Sequence, residues 1–368
     1  LVGAAGLVRV EPRPGIRYDA ASLGVGTTSE MPELPGFAAH GVAAKPLDRF
    51  ATRWAAFCEG VQAGDVPSLA VIGAGVAGVE LALAMQHRLA RLGAAPRIAL
   101  IDAAEPLAGI AGNTRAILFE RLRRAGVRLV SDAPVARVEA GAVVLADGRE
   151  LPADMTVGAA GARPHPWLAD LGLAHEGGYL AVDRSLRSVT DRAIFAAGDC
   201  AHLSHAPRPK AGVYAVRAAP VLHGNLRAAL GSGTRRPFRP QADFLRLISL
   251  GGREAVADRS GLSVAGGRVW RWKDRIDRRF MERLSDLPRM APPAPPRQAA
   301  DGVARAMGRQ PPCAGCGAKL GGGALSAALA RLPAPERTDV MSLPGDDAAI
   351  LAMGEDWQVV TTDHLRAF

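Results

Sequence analysis

Two stretches of this 368-residue chain hold side chains whose types and spacing suit them for chemistry. Near the C-terminus, Cys313-Ala314-Gly315-Cys316-Gly317-Ala318-Lys319 sets two thiols three residues apart, with an ammonium three residues beyond the second. Half of a zinc site would need a second ligand pair. No cysteine follows Cys316, and the only later histidine is His364. A thioredoxin-type dithiol opens a helix after a strand, whereas this pair follows Pro311-Pro312 in a glycine-rich run. The third reading is a nucleophile beside a cation. It gains from Asp346 and Asp347, which precede one strand pattern, and from Asp363, which ends another. Carboxylates at strand ends suit Mg²⁺, a cation that takes oxygen donors and bound phosphates. Thiol, lysine and acids together imply phosphoryl transfer from a nucleotide to a soft nucleophile.

The second stretch is Leu69-Ala70-Val71-Ile72 followed at once by Gly73-Ala74-Gly75-Val76-Ala77-Gly78. Val79 to Leu92 then carries apolar residues at helical spacing, and Arg97 to Ile101 is a second strand pattern closed by Asp102. Strand, glycine turn, helix, strand and acid stand in the order a dinucleotide site needs. Gly73 allows the tight turn, Gly75 lets the backbone approach a pyrophosphate, and Gly78 lets the helix pack on the strand. The free N–H groups of the helix N-terminus face the phosphates. Asp102 can accept from the ribose hydroxyls, which favours NAD(H) over NADP. Arg97 softens that preference, because an arginine near the ribose accepts a 2′-phosphate. Read without this context, the glycines are only a tight turn.

A further strand, Ala193 to Ala197, ends in Gly198-Asp199. Upstream lie a hairpin pattern (Ala142 to Leu145, with 146–149 as its turn), the segment Met155 to Pro164, and the similarly shaped Tyr18 to Thr28. These segments, with the central glycine motif, resemble the two-dinucleotide flavoprotein disulfide reductase superfamily, and within it type II NADH dehydrogenase-like proteins. The resemblance covers roughly the first 235 residues. It implies FAD as well as NAD(H). Gly198 and Asp199 would lie at the flavin, with Asp199 bonded to its ribityl chain. Pro209 to Val213, with Lys210, would begin a helix facing the pyrimidine ring, where a helix dipole stabilises the anionic reduced flavin. Glu80 matches a position facing nicotinamide and flavin; its plain alternative is a first-turn glutamate favoured by the helix dipole. The family's N-terminal glycine motif has no match before Tyr18, so the chain is expected to bind FAD poorly. Cys58 and Cys200 form no close pair, so the implied acceptor is not a protein disulfide. Both read as ordinary core or surface thiols.

The C-terminal motifs resemble selenide, water dikinase, the selenophosphate synthetase family, from Pro312 onward. The resemblance makes Cys316 the reactive position and Lys319 the essential lysine. Asp347 and Asp363 become Mg²⁺–ATP ligands with Asp346 beside them, and Cys313 has no role. The substrates implied are ATP and selenide. His364 and Leu365 stand where that family has aromatics.

The elements that must position these groups follow. The expected fold class is α/β: a two-dinucleotide-binding, Rossmann-like flavoprotein fold, then a Pro-rich linker, then the N-terminal piece of an α+β kinase domain. The oxidoreductase domain is placed at 1–235, with its NAD-binding subdomain at about 66–150. Strands and a basic helix follow at 236–284, the linker at 285–311 and the kinase piece at 312–368. In the helix 270–284, Trp272, Ile276, Phe280 and Leu284 make one apolar stripe flanked by arginines. It suits weak contact with an anionic membrane surface. The preferred reading is that the stripe packs on its own domain.

The net charge is +9, yet only four of the 45 basic residues are lysines (Lys45, Lys210, Lys273, Lys319) and aromatics are 5% of the chain. That composition argues against a nucleic-acid surface. Four cysteines make no disulfide framework, and no apolar run spans a bilayer. A cytoplasmic protein, peripheral at most to the inner face of the membrane, is expected, with a homodimer as the family's habit. The missing initial methionine and the final strand pattern read as a fragment of a bifunctional fusion. The runner-up readings are a plain NADH:quinone oxidoreductase with an unrelated tail and a non-catalytic redox-sensing scaffold.

Overall fold

The computed structural model describes residues 15–285, the two-residue strands Val2–Gly3 and Leu7–Val8, and residues 329–331, 337–342, 348–354 and 356–360. The chain divides into two compact units, Leu1–Glu282 and Arg283–Phe368.

At the centre of the first unit is a five-stranded parallel sheet. Its order is Gly41–Ala43, Met155–Gly158, Ser68–Ile72, Arg97–Ile101, Arg128–Val130. Parallel strands are covered on both faces, so their sequences are nearly continuous apolar runs, as Leu69 to Ile72 and Ile98 to Ile101 are. Alternate residues serve opposite faces. Leu69, Val71, Leu100 and Val157 pack under the helices Val76–Arg91 and Gly112–Arg124 through Val79, Leu83, Leu89, Leu118 and Leu122. Ala70, Ala99 and Ile101 face the other way. They meet Val143, Leu145 and Leu151 of the antiparallel sheet Val135–Glu139, Ala142–Leu145, Glu150–Pro152. The helix 76–91 ends where Gly93 takes φ 84°, a left-handed exit that glycine makes without strain.

A second core gathers around the parallel pair Ala21–Leu23 and Ile194–Ala196. Leu180 and Val182 of a strand parallel to Ala201–Leu203 join it, as does Ala218 of the helix Gly212–Ala229. Two segments cross between the cores, and reciprocal backbone bonds tie them at Thr28 and Arg163, both 2.9 Å.

Three antiparallel strands follow, Arg246–Ser249, Ala255–Arg259 and Leu262–Gly266. They send Ile248, Leu250 and Val256 into the core beneath the helix 76–91. At the turn, a Cβ on Gly251 (φ 76°) would stand 2.9 Å from the Leu83 carbonyl oxygen, so the turn closes directly on that helix.

The basic helix runs over Gly267–Ser285, three residues longer at its start than its sequence suggests. The preferred reading of its stripe is corrected here. Trp272, Ile276, Phe280 and Leu284 are 48, 42, 39 and 59% exposed, and among the helix's described residues only Val269 is buried. The helix leaves from the outermost strand of the three, whose Leu262 and Val264 are themselves exposed. Only its first turn therefore reaches the core.

In the second unit, Ala349–Met353 and Asp356–Val360 form an antiparallel hairpin turned at Gly354, and Val340 bridges to Leu351.

Candidate nucleotide and flavin site

The glycine motif lies where the strand Ser68–Ile72 turns into the helix 76–91, at the carboxyl edge of the parallel sheet. Each glycine has its own steric reason. Gly73 takes φ 107°, and a Cβ there would lie 2.5 Å from the Ala160 backbone. A Cβ on Gly78 would lie 1.8 Å from the Gly73 carbonyl oxygen, so helix and turn touch backbone to backbone. Gly75 is exposed and a Cβ on it would meet nothing within 4 Å. The first two glycines are thus demanded by the fold, and the third leaves open a cradle that a side chain would fill. The helix starts with no side-chain cap, so its first N–H groups remain available to an anion.

Asp102 closes the next strand. Its Oδ2 accepts from the Ala74 N–H at 2.6 Å, and its Oδ1 accepts from the Ala104 N–H at 3.0 Å. The carboxylate fixes the glycine turn while each oxygen keeps a lone pair for a ribose hydroxyl.

Glu80 lies in the second turn of the helix, whose first turn holds no acidic residue, so the plain reading of a first-turn glutamate is corrected here. Its Oε1 accepts from the Ser249 N–H at 2.7 Å, across 169 residues of sequence. Burial pushes the Glu80 carboxyl up; the Ser249 N–H and the Lys273 charge pull it back, and Asp277 pushes up again. Lys273 itself donates to Asp277 Oδ2 at 2.6 Å. The bond to Ser249 gives Glu80 a tie beyond the helix dipole.

The Gly198-Asp199 pair lies beyond the strand Ile194–Ala196, with Gly198 at φ 78°. Both line a cleft of about 520 Å³ with Tyr179, His202, Lys210, Ala211 and Tyr214. The helix 212–229 opens onto this cleft with no side-chain cap. Lys210 Nζ donates to the Ala201 carbonyl at 2.6 Å and lies 3.8 Å from the centre of the Tyr179 ring. Burial lowers its pKa, and Asp199 opposes that. Asp199 Oδ2 also has Lys45 Nζ at 3.8 Å. An acid that can accept from a polyol, a free helix N-terminus and an apolar-walled cleft fit a flavin.

Lys45 escapes a reading of the sequence, because it lies more than a hundred residues from Asp199 and carries no motif. Its one signal is that lysine is rare in this chain. Cys200 is fully buried and burial raises its pKa, as it does for the half-buried Cys58. Both are free thiols in core settings. Cys313, Cys316, Lys319, Asp346, Asp347, Asp363 and the linker 285–311 beyond Ser285 lie outside the described residues. Among the described residues no group of three or more metal-ligating side chains converges.

Comparison with known proteins gives the family of the chain. The family description "Pyridine nucleotide-disulphide oxidoreductase" matches residues 8–219. An NADH dehydrogenase-like protein of Mycobacterium tuberculosis is 34% identical over 196 residues, which is 50% of this chain and 48% of that one. A potato (Solanum tuberosum) mitochondrial internal alternative NAD(P)H-ubiquinone oxidoreductase is 28% identical over 138 residues, covering 35% of this chain and 28% of its own. The chain thus spans about half the length of the first relative and less of the second. In fold it is similar to the sulfide:quinone oxidoreductase of Aquifex aeolicus, with TM-score 0.62 at 16% identity over 77% of this chain and 72% of that one. The match spans both the glycine turn and the Gly198-Asp199 cleft, and the chain belongs to the pyridine nucleotide-disulphide oxidoreductase family.

Proposed function

We propose that the first unit is an FAD-dependent NADH oxidoreductase module. The observation that carries this reading is the glycine turn: two glycines locked by backbone contact, one left open, and Asp102 beside them at the sheet edge. Gly75 and the free helix N-terminus would take the pyrophosphate, and Asp102 the ribose. Glu80 would border the nicotinamide. Gly198, Asp199 and Lys210 would hold FAD, which when bound supplies hydride acceptance from NADH. With no cysteine pair beside the cleft among the described residues, the acceptor is a small molecule rather than a protein disulfide. The ubiquinone acceptor in the potato relative's name points to a quinone-like compound. The test is NADH-dependent reduction of a quinone by the full-length protein, with Gly75→Val as the control variant. Retained activity in Gly75→Val would remove the nucleotide assignment.

The segment from Pro312 favours a second activity, selenide, water dikinase, in which ATP, selenide and water give selenophosphate, AMP and phosphate. Support comes from Cys316, Lys319, Asp346, Asp347 and Asp363 standing in order in the sequence, with Mg²⁺ as the implied metal. A thiolate beside a lysine is soft and favoured, and the same lysine balances phosphate charge. In the full-length protein, Cys316→Ser and Lys319→Ala should abolish selenide-dependent AMP release, whereas Cys313→Ser should not. If Cys313→Ser is equally inactive, the pair acts as a dithiol.

A homodimer and weak contact of the basic helix with an anionic surface complete the reading. No described helix is long and apolar enough to cross a membrane.

A further inference from the structure

Four of the 45 basic residues are lysines, and the three that the structure describes all stand near an acid of the candidate site. Lys45 and Lys210 flank Asp199, and the charge of Lys273 acts on Glu80. Lys45 has a built seat. Its N–H donates to Ser29 Oγ at 2.8 Å, and its carbonyl accepts from the Ser29 N–H at 3.3 Å and the Thr28 hydroxyl at 3.4 Å. Thr28 and Ser29 are both buried. Lys45 follows Gly41–Ala43, the edge strand of the nucleotide sheet, so it stands at the sheet's carboxyl end, where ligands of open α/β sheets sit. Its ammonium nevertheless reaches Asp199 Oδ2, 3.8 Å away, in the other cleft. One residue therefore belongs by backbone to the nucleotide half and by charge to the flavin half.

We infer that Lys45 is a positioning residue of the redox site, whose ammonium offsets the Asp199 carboxylate where the flavin is held. The inference rests on the flavoprotein reading above. Its physical content is electrostatic. Without this cation, one positive charge is lost beside a group that must take up an electron pair, and Lys210 alone is left to offset the Asp199 carboxylate. In a partly enclosed cleft that loss is only partly screened. The flavin's potential should then fall.

The experiment uses full-length, FAD-loaded protein, equilibrated with a reference dye of known potential during slow reduction. For Lys45→Met, the equilibrium between reduced dye and reduced flavin should move about three- to ten-fold against the flavin, given a pair half-open to solvent. Lys45→Arg keeps the charge and should recover at least half of that shift. Lys45→Gln serves as the neutral variant should Lys45→Met lose its flavin. Arg49→Met removes a neighbouring exposed cation bonded to Glu30 instead and should leave the equilibrium unmoved. A neutral Lys45 variant with the wild-type equilibrium overturns the inference, as does an Arg49→Met shift of equal size. Absence of FAD from the wild type overturns the proposed function itself, and the inference with it.

Discussion

Asp102 illustrates how a single carboxylate is shared between fold and ligand. Because Oδ2 already holds the Ala74 N–H, Asp102→Ala should have two separable effects. It should weaken NADH more than NADPH, since the lost acceptor pairs with the 2′-hydroxyl. It should also lower unfolding free energy by about 1–2 kcal/mol, because a turn N–H loses its partner. Fluorescence titration with both nucleotides and a denaturant melt separate the two, and equal weakening of NADH and NADPH would remove the ribose assignment. Glu80 makes a pH prediction. Its carboxyl titrates above the ordinary range in the folded protein because burial disfavours the charged form. The folded state therefore holds this proton more tightly than the unfolded state. Stability from this group is present below the unfolded pKa and is lost as pH rises through the folded one. Glu80→Gln can keep the Ser249 N–H bond through its amide oxygen. Its thermal midpoint should match wild type near pH 4 and exceed it near neutrality. A difference that stays flat with pH would mean that Glu80 titrates normally.

Among elements, the glycine turn and the basic helix show what a sequence can and cannot disclose. The turn was legible because its logic is local: strand, turn, helix and acid lie within thirty-five residues. Its steric reasons were not. The atoms that demand Gly73 belong to Ala160, reached only through the parallel pairing of Met155–Gly158 with Ser68–Ile72. Gly73→Ala and Gly78→Ala should each cost about 2 kcal/mol or more in denaturant unfolding, through overpacking and, at Gly73, a left-handed backbone. Gly75→Val should stay within about 0.5 kcal/mol of wild type yet bind NADH at least ten times more weakly. The stripe of the helix 267–285 was legible as a pattern, but pattern alone cannot say whether a surface exists to cover it. Ile276→Lys and Phe280→Lys, at 42 and 39% exposed positions, should each change stability by less than about 0.5 kcal/mol. A loss of 2 kcal/mol in either would mean that the stripe is covered after all.

At the scale of the molecule, the first unit closes at Glu282. A chain ended at Ser285 should keep the thermal midpoint of the longer protein within a few degrees and the same NADH affinity. Loss of nucleotide binding on that truncation would mean that later residues complete the site. The α/β class and the order of the nucleotide elements followed from periodicity and glycine placement. The two contacts that join distant parts of the site, Ser249 to Glu80 and Lys45 to Asp199, did not, because each spans more than 150 residues and neither partner lies in a motif that names the other. Lys45 shows this most plainly, since Thr28, itself paired with Arg163, and Ser29 hold its backbone from a segment 16 or more residues away.

The closure of the Gly251 turn on the helix 76–91 has a consequence for how the protein is made. Ile248, Leu250 and Val256 complete a core whose other members lie almost a hundred residues or more earlier in the chain. A ribosome adds about 5–20 residues each second, so the nascent nucleotide sheet waits on the order of ten seconds with one flank of its core open. During that interval Glu80 lacks the Ser249 N–H, and the apolar floor under Leu83 faces solvent. The strands 246–266 thus act as a late latch on the first unit, and a pause in translation before residue 256 would prolong the period in which the unfinished chain is open to aggregation.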